Sequence, residues 1–208
     1  MQIELLSYTN LNVCSHAIRT CWQSFEKGDS GGEKDKELID RVGNKLKHAS
    51  TLEHLHYTFY IQGISRACLQ ELARHRMASL SVKSSRYTLK ELKEVESFLP
   101  LCGENYKRAE QFLVFTENQA VNEASIYALE NLRKLLITNI SNDLAKFAMP
   151  ESYKTELTWS INARSLQNFL ALRSAKSALW EIRKLALNLF NALPQEHQFI
   201  FNDTIKDA

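Results

Sequence analysis

The 208-residue chain has few of the residues that interrupt regular structure, with only six glycines and three prolines. We therefore expect long helices and strands joined by short connections. Its four cysteines form no Cys-x-x-Cys pair and no recognisable metal-ligand spacing, which excludes the common zinc motifs. No apolar run approaches the roughly 18 residues that a membrane-spanning helix needs. The formal net charge of only +2 argues against a generally basic, nucleic-acid-coating protein.

The N-terminal residues contain neither a basic segment nor an apolar segment of the kind found in secretory signals. We therefore expect a cytoplasmic protein with reduced thiols, in which Cys14, Cys21 and Cys68 lie in apolar helical rows and belong to the core. The apolar content of 44% and the charged content of 24% are typical of a globular protein. The length predicts one domain over residues 1–208.

Apolar periodicity predicts a chain that mixes strands with helices. Alternation with period two indicates strands at residues 3–8, 55–61 and 157–161. Helical rows predict a first helix capped by Thr9 or Asn10 and a second with Leu38, Val42 and Leu46 inward. Further helices are expected over residues 104–137, broken near 117–118, over 142–149 and over 176–193. A glycine cluster within residues 26–33 predicts a flexible loop.

Positive charge concentrates in one segment, residues 66–86. This segment holds five arginines or lysines against a single acid, Glu71. Ser65 is a candidate N-cap for a short helix on which Leu69, Leu72 and Arg76 share one face. The residues that follow look extended, with Leu80, Val82, Ser84 and Arg86 on one side.

An inward-facing arginine must meet an anion, because an unpaired buried charge costs several kcal/mol. Two interpretations of the segment stay open on spacing alone. In one, the arginines and Ser84 bind a phosphate or pyrophosphate through guanidinium forks and a hydroxyl. In the other, they only satisfy Glu53, Glu71 or helix-end carbonyl groups.

A second arginine closes an apolar row further along the chain. Leu166, Phe169, Leu170 and Arg173 lie at i, i+3, i+4 and i+7 of a helix for which Ser165 is the predicted cap. A cation in the last turn of a helix also offsets the helix dipole, by about 0.3–1 kcal/mol. This row therefore has both a functional and a structural interpretation.

Three blocks of the sequence resemble one enzyme family. Arg74-His75-Arg76, followed after seven residues by Ser84 and then by Arg86-Tyr87, resembles the RHRx7S signature of the flavin-dependent thymidylate synthases. Residues 48–54, His-Ala-Ser-Thr-Leu-Glu-His, resemble the family's H-x-[ST]-x-x-E-H segment. Residues 162–173 resemble its N-A-R-x-x-x-N-F-x-x-L-R block. The three blocks also occur in the family's order.

The resemblance implies a fold and a reaction. The fold would be mixed α+β, with a central antiparallel-rich sheet flanked by helices, in a homotetramer whose sites are shared between subunits. The reaction would be the reductive methylation of dUMP to dTMP. The carbon donor would be 5,10-methylenetetrahydrofolate, bound FAD reduced by NADPH would supply the hydride, and tetrahydrofolate would be released. The implied partners are dUMP and the folate, with no nucleic acid, membrane or metal.

The resemblance also implies roles for individual residues. Arg173 would be catalytic, lying against the uracil and favouring ionisation at N3, as expected for a cation beside a developing anion. The implied flavin ligands are Ser50, Glu53, Arg74, His75, Arg76, Asn162, Arg164 and Asn168. The implied substrate ligands are Glu71, Arg74, Ser84, Ser85, Arg86, Lys146 and Arg173. Ser84 is expected to bind phosphate rather than to act as a nucleophile, because no oriented general base is visible near it.

The chain departs from the family pattern at three positions. Glu71 stands where many members have Gln, and a carboxylate accepts hydrogen bonds but cannot donate them. Val82 replaces a frequent acidic residue, and Lys146 replaces an arginine, which keeps the charge but loses the bidentate fork. Two other functions stay open: a nucleic-acid-binding module that uses the basic segment, and a flavin- or nucleotide-binding protein without turnover.

Overall fold

A four-stranded sheet with the strand order β1-β2-β4-β3 organises the fold. The computed structural model describes residues 1–206, in which antiparallel strands are combined with helices. The expected mixed α+β class is therefore confirmed. The strands are β1 (Gln2–Tyr8), β2 (His56–Ser65), β3 (Ala78–Val82) and β4 (Lys154–Asn162).

Helices account for most of the remaining regular structure. The α-helices are α1 (Leu11–Thr20), α2 (Glu33–Ile39), α3 (Arg66–Leu72), α4 (Ser85–Thr88), α5 (Gly103–Glu110), α6 (Gln119–Ile137), α7 (Asn142–Ala145), α8 (Ala163–Arg173) and α9 (Trp180–Asn191). A π-helical segment (Asp40–Lys45) follows α2, and 3-10 segments are found at Phe25–Lys27, Ala49–His54, Leu89–Glu94, Lys146–Ala148, Gln195–Ile200 and Asn202–Thr204. No helix within residues 1–206 is long and apolar enough to cross a membrane.

The chain divides into two compact units. Unit 1 comprises Met1–Ile61, Glu71–Ser81 and the C-terminal segment from Thr158, and unit 2 comprises Gln62–Gln70 and Val82–Leu157. The predicted alternation of β2 is confirmed, since Leu55, Tyr57, Phe59 and Ile61 are all fully buried.

The core of unit 1 is built from aromatic rings that link the sheet to α8. The Trp159 ring of β4 lies 5.2 Å from that of Phe169 on α8, measured between ring centroids. The ring of Phe59 on β2 also packs against Trp159, with ring centroids 6.4 Å apart. Leu166 and Leu170 of α8 are also fully buried. The apolar row predicted for α8 is therefore confirmed, and it fixes the face of the helix that ends at Arg173.

Asparagine and serine side chains begin several helices by accepting hydrogen bonds from free backbone N–H groups. Asn10 accepts from the Asn12 amide at 2.9 Å, and Ser65 accepts from the Cys68 amide at 2.9 Å, as predicted. The predicted Ser165 cap is wrong. Asn162 caps α8 instead, because its side chain accepts from the Ser165 amide at 2.9 Å.

Unit 2 has its own apolar core, to which α5 and α6 contribute. Leu129, Leu132 and Leu136 of α6 are fully buried, as predicted. The predicted break in the long helix is also confirmed, because α6 begins after the Asn118 cap, which accepts from Val121 N at 3.2 Å. Glu130 is buried but satisfied, since it accepts from the Phe98 amide at 3.0 Å and pairs with Arg133 at 2.8 Å.

Two predictions for the charged segment are wrong. Helix α3 ends at Leu72, so Arg76 does not continue its apolar row and is exposed. The strand expected to carry Ser84 and Arg86 ends at Val82, because Ser84 is instead the N-cap residue of α4. The Ser84 carbonyl accepts from the Tyr87 and Thr88 amides, both at 3.2 Å, and this helical turn ends the alternation with period two.

The second helix buries a different set of residues from the predicted one. Leu46 is 59% exposed, whereas Ile39 and Gly43 are buried. The π-helical turn changes the phase of the helix. Gly43 permits the close approach of Leu52, since a Cβ at residue 43 would lie 2.7 Å from the Leu52 Cδ2 atom. Cys14 and Cys68 are buried as expected, but Cys21 is exposed because α1 ends at Thr20.

The glycine cluster predicted to be a flexible loop is tied down by two carboxylates. Asp29 accepts from the backbone amides of Lys34 and Asp35, at 2.8 and 3.1 Å. Asp35 accepts from the Gly31 amide at 2.8 Å and forms a buried ion pair with Arg19 at 2.5 Å. Burial raises the pKa of Asp35, but its hydrogen bonds and Arg19 outweigh burial and hold the pKa below its usual value.

Replacing Asp35 with Ala should strip the buried Arg19 guanidinium of its counter-charge. We expect the free energy of unfolding to fall by about 3–5 kcal/mol, as for other broken buried pairs. Urea denaturation followed by circular dichroism measures this change. Glu33→Ala is the matched control, because it removes the exposed pair with Lys36 and should change stability by less than about 1 kcal/mol. Equal effects of the two substitutions would contradict the proposed importance of the buried pair.

Candidate functional site

One cavity of unit 1 has a volume of about 860 Å³. Its lining combines cations, amides and apolar side chains that come from three distant parts of the sequence. Eight residues predicted as ligands line it: Glu53, Arg74, His75, Arg76, Asn162, Arg164, Asn168 and Arg173. The same cavity is also lined by Met77, Ile161, Ser165, Leu172, Ser177 and Ala178.

The local fold explains how these side chains come together. Asn162 ends β4 and caps α8, so Arg164 lies in the first turn of that helix and Arg173 in its last. The His75 backbone amide donates to the Leu72 carbonyl at 3.0 Å, which turns the chain at the end of α3. The imidazole of His75 then packs edge-on against Phe169, with ring centroids 4.9 Å apart. The aromatic core of unit 1 thus supports one wall of the cavity.

Arg173 is the most constrained of the arginines that line the cavity. Its Nε donates to His75 Nε2 at 3.0 Å, and its Nη2 donates to the Glu71 carbonyl oxygen at 3.4 Å. Its Nη1 pairs with the Glu71 carboxylate at 2.8 Å. The Arg173 side chain is 17% exposed. The guanidinium is therefore held at three of its nitrogen atoms while it still borders the cavity.

His75 is held in its neutral form. Burial, followed by the positive charge of Arg173, lowers the pKa of His75 to about 4. Because Nε2 accepts the hydrogen bond from Arg173, the ring proton of the neutral imidazole must be on Nδ1. His75 consequently acts as a hydrogen-bond acceptor for Arg173 near neutral pH.

The other cations of the cavity are more open to solvent. Arg164 pairs with Glu53 at 2.6 Å, and both side chains are about half exposed. The Arg74 side chain is 74% exposed and lies 4.0 Å from Glu71. Exposed guanidiniums with free N–H groups suit phosphate oxygens, which accept bidentate hydrogen bonds. The cavity therefore offers one fixed cation and several adaptable ones.

The comparisons with known proteins agree on one family. Residues 4–197 match the model of the family described as thymidylate synthase complementing protein. Two proteins named flavin-dependent thymidylate synthase, from Wolinella succinogenes and Campylobacter jejuni, are each 71% identical over 201 residues, which is 97% of this chain. These matches cover 97% and 96% of the two relatives. The chain belongs to the flavin-dependent thymidylate synthase family.

A solved structure of the family has the same fold. It is the flavin-dependent thymidylate synthase from Helicobacter pylori in complex with FAD and dUMP, which is 66% identical and superposes with a TM-score of 0.96. The match covers 99% of this chain and 100% of the other. The resemblance inferred from the three sequence blocks is therefore confirmed.

Four of the residues expected as substrate ligands lie in unit 2. Ser84 and Ser85 begin α4, whereas Arg86 forms a fork-shaped ion pair with Asp143, with distances of 2.7 and 3.2 Å. Lys146 lies 5.8 Å from the ring centroid of Phe147. Ser50 of the family's H-x-[ST]-x-x-E-H segment is exposed in unit 1 and is not among the residues that line the cavity.

Part of the apolar lining of the cavity was not predicted from the sequence. Met77 and Leu172 fall inside the matched blocks, so their positions could have indicated a wall of the cavity, and they are 73% and 55% exposed. Ile161 was expected only as strand core. Ser177 and Ala178 lie between α8 and α9, where no sequence signal marks them. No group of three or more potential metal ligands was found in residues 1–206.

The lowered pKa of His75 predicts a dependence of stability on pH. The unfolded state, with an ordinary histidine pKa of about 6.5, takes up a proton before the folded state does. Stability that is present above pH 6.5 is therefore lost as the pH falls toward about 4. We expect His75→Asn to reduce this loss, measured as the free energy of unfolding at a series of pH values. Identical pH profiles for the variant and the natural chain would contradict the lowered pKa.

Proposed function

We propose that this protein catalyses the reductive methylation of dUMP to dTMP, with 5,10-methylenetetrahydrofolate as carbon donor and release of tetrahydrofolate. The observation that carries the proposal is the single cavity lined by eight residues of the three family blocks. Family membership over residues 4–197 supports it further. The related Helicobacter pylori enzyme, crystallised with FAD and dUMP, supports the same two ligands here.

The residues of the cavity fit a bound FAD. Arg74, Arg76 and Arg164 supply cations for a pyrophosphate, and the amides of Asn162 and Asn168 can bond a polar ring edge. Met77, Ile161 and Leu172 supply the apolar contact that a large planar ring system needs. We assign Ser50, Glu53 and His75 to the same group of flavin contacts. When bound, the flavin supplies the hydride chemistry, and the protein binds and orients the reactants.

Arg173 is proposed as the catalytic residue. Its guanidinium is fixed by Glu71 and His75 at the edge of the cavity, so its positive charge has a defined place. A fixed cation beside the uracil stabilises negative charge that develops when N3 loses its proton. This activates the ring without an enzyme nucleophile. None of the four cysteines lines the cavity.

We propose that the phosphate of dUMP is bound by residues that a neighbouring subunit contributes, as the family resemblance implies. We propose Ser84, Ser85, Arg86 and Lys146 as its ligands, together with the cation Arg74, whereas the Glu71 carboxylate binds Arg173 on the uracil side. The Arg86 guanidinium already makes a bidentate contact with the Asp143 carboxylate. The same fork geometry is suited to a phosphate.

We further propose one catalytic domain over residues 1–208, assembled as a homotetramer with sites shared between subunits. The family model, which spans residues 4–197 as one match, supports the single domain. NADPH is proposed as the reductant of the flavin, and the cytoplasm as the location. The buried free thiols of Cys14 and Cys68 are consistent with a reducing compartment.

The first test of the function is the visible spectrum of the purified protein. We expect a yellow preparation with the two absorption bands of an oxidised flavin, because the cavity fits FAD. Added dUMP should perturb these bands if the nucleotide binds beside the flavin. A colourless preparation that takes up no added FAD would contradict the proposal.

A second test is Arg173→Ala. Since the proposed role of Arg173 is to stabilise the uracil anion, the variant should keep its flavin spectrum while dTMP formation falls by about 100-fold or more, as for other removed oxyanion ligands. Formation of dTMP is followed by chromatography. Arg183→Ala on α9, outside the cavity lining, is the matched control. Normal turnover by Arg173→Ala would exclude the assigned role.

A further inference from the structure

The guanidinium of Arg173 is bound on one side and open on the other. A guanidinium has five N–H donors, and three of them are directed to His75 Nε2, the Glu71 carbonyl and the Glu71 carboxylate. Two N–H groups, one on each Nη atom, have no acceptor among these contacts. These two N–H groups are the donors through which Arg173 can form hydrogen bonds to a ligand in the cavity.

Glu71 is the main determinant of this arrangement. It holds both Nη atoms, one through its side chain at 2.8 Å and one through its backbone at 3.4 Å. Its carboxylate is 33% exposed and has Arg74 as a more distant second partner, at 4.0 Å. One acidic side chain therefore both orients Arg173 and neutralises part of its charge.

Glu71 lies behind Arg173 and is not among the residues that line the cavity, and the charged residues of the lining do not replace it. Glu53 is paired with Arg164 at 2.6 Å. His75 faces Arg173 as a neutral acceptor, and Arg76, which also lines the cavity, adds positive charge. Glu71 is consequently the carboxylate that contacts Arg173 directly.

We propose that Glu71 is a positioning residue that sets both the direction and the effective charge of Arg173, and thereby the pH at which the uracil of bound dUMP loses its N3 proton. This inference depends on the proposed function. The proton passes to solvent and no other bond changes. In this role Glu71 acts through Arg173 instead of contacting the nucleotide itself, which accounts for a carboxylate at a position where many family members have Gln.

The two parts of this role have opposite effects on a bound anion. The hydrogen bond from Arg173 to Glu71 fixes the guanidinium and favours the anion. The negative charge of Glu71 offsets part of the positive charge of Arg173 and therefore disfavours the anion. Glu71→Gln keeps an oxygen acceptor of the same shape but removes the charge, whereas Glu71→Ala removes both.

The experiment measures the dissociation constant of dUMP for the flavin-loaded protein by calorimetry, at a series of pH values above neutrality. His75, with its pKa of about 4, stays neutral throughout this range. For a ligand that ionises more easily when bound, affinity rises with pH from the bound pKa to the free pKa. A charge removed within about 4–6 Å shifts a pKa by about 1–3 units.

For Glu71→Gln, we expect the rise in affinity to begin about one pH unit lower than in the natural chain. The affinity for the ionised nucleotide should then be about tenfold higher. Glu71→Ala should bind dUMP more weakly than Glu71→Gln at every pH, because Arg173 loses the side-chain acceptor of its Nη1 and keeps only the His75 and backbone contacts. Glu33→Gln, which removes the exposed pair with Lys36, should match the natural chain.

The possible results separate this inference from the proposed function. One result is that the natural protein binds FAD and dUMP, and its affinity for dUMP depends on pH in the same way as that of Glu71→Gln. Glu71 then does not set the charge of Arg173, and the inference is overturned while the proposed function stands. If Glu71→Ala and Glu71→Gln bind equally at every pH, the positioning role is overturned. Failure of the natural flavin-loaded protein to bind dUMP would overturn the proposed function together with the inference.

Discussion

The structure of the site depends on keeping one guanidinium fixed at the end of a helix. Arg173 could sample many rotamers, and the side chains of Glu71 and His75 remove that freedom. His75 is itself held against Phe169, which packs on the buried Trp159. The direction of a charged group at the cavity edge is thus determined by aromatic packing in the core. Precise placement of this kind allows a cation to act without reorganising during a reaction.

Patterns with strong local causes could be read from the sequence. The alternation of Tyr57 and Phe59 predicted β2, and the row ending at Arg173 predicted the inner face of α8, because burial on one face imposes a period. The family blocks identified eight residues that the fold brings to one cavity. They come from three distant parts of the sequence, so no periodicity argument could have joined those parts without the resemblance.

The errors have a common physical origin in competing local preferences. Alternation predicted a strand through Ser84, but the Ser84 carbonyl instead closes a helical turn with the amides of Tyr87 and Thr88. Asn162 and Ser165 both have side chains that can cap a helix. Asn162 is the cap because β4 ends at this residue and α8 begins directly after it. The contact between Glu71 and Arg173 joins residues 102 positions apart. A pairing over that separation leaves no trace in local sequence.

The glycine-rich turn before α2 combines a permissive backbone with three hydrogen bonds from backbone amides to carboxylates. Gly31 adopts a φ of +94°, which favours glycine, and its amide is bound by Asp35. Asp29 accepts two further amides at the start of the helix. Proteases cut segments that can detach and extend into their clefts. Cleavage at this surface turn would first require the hydrogen bonds of Asp29 and Asp35 to open. The turn should therefore resist proteolysis better than its glycine content suggests.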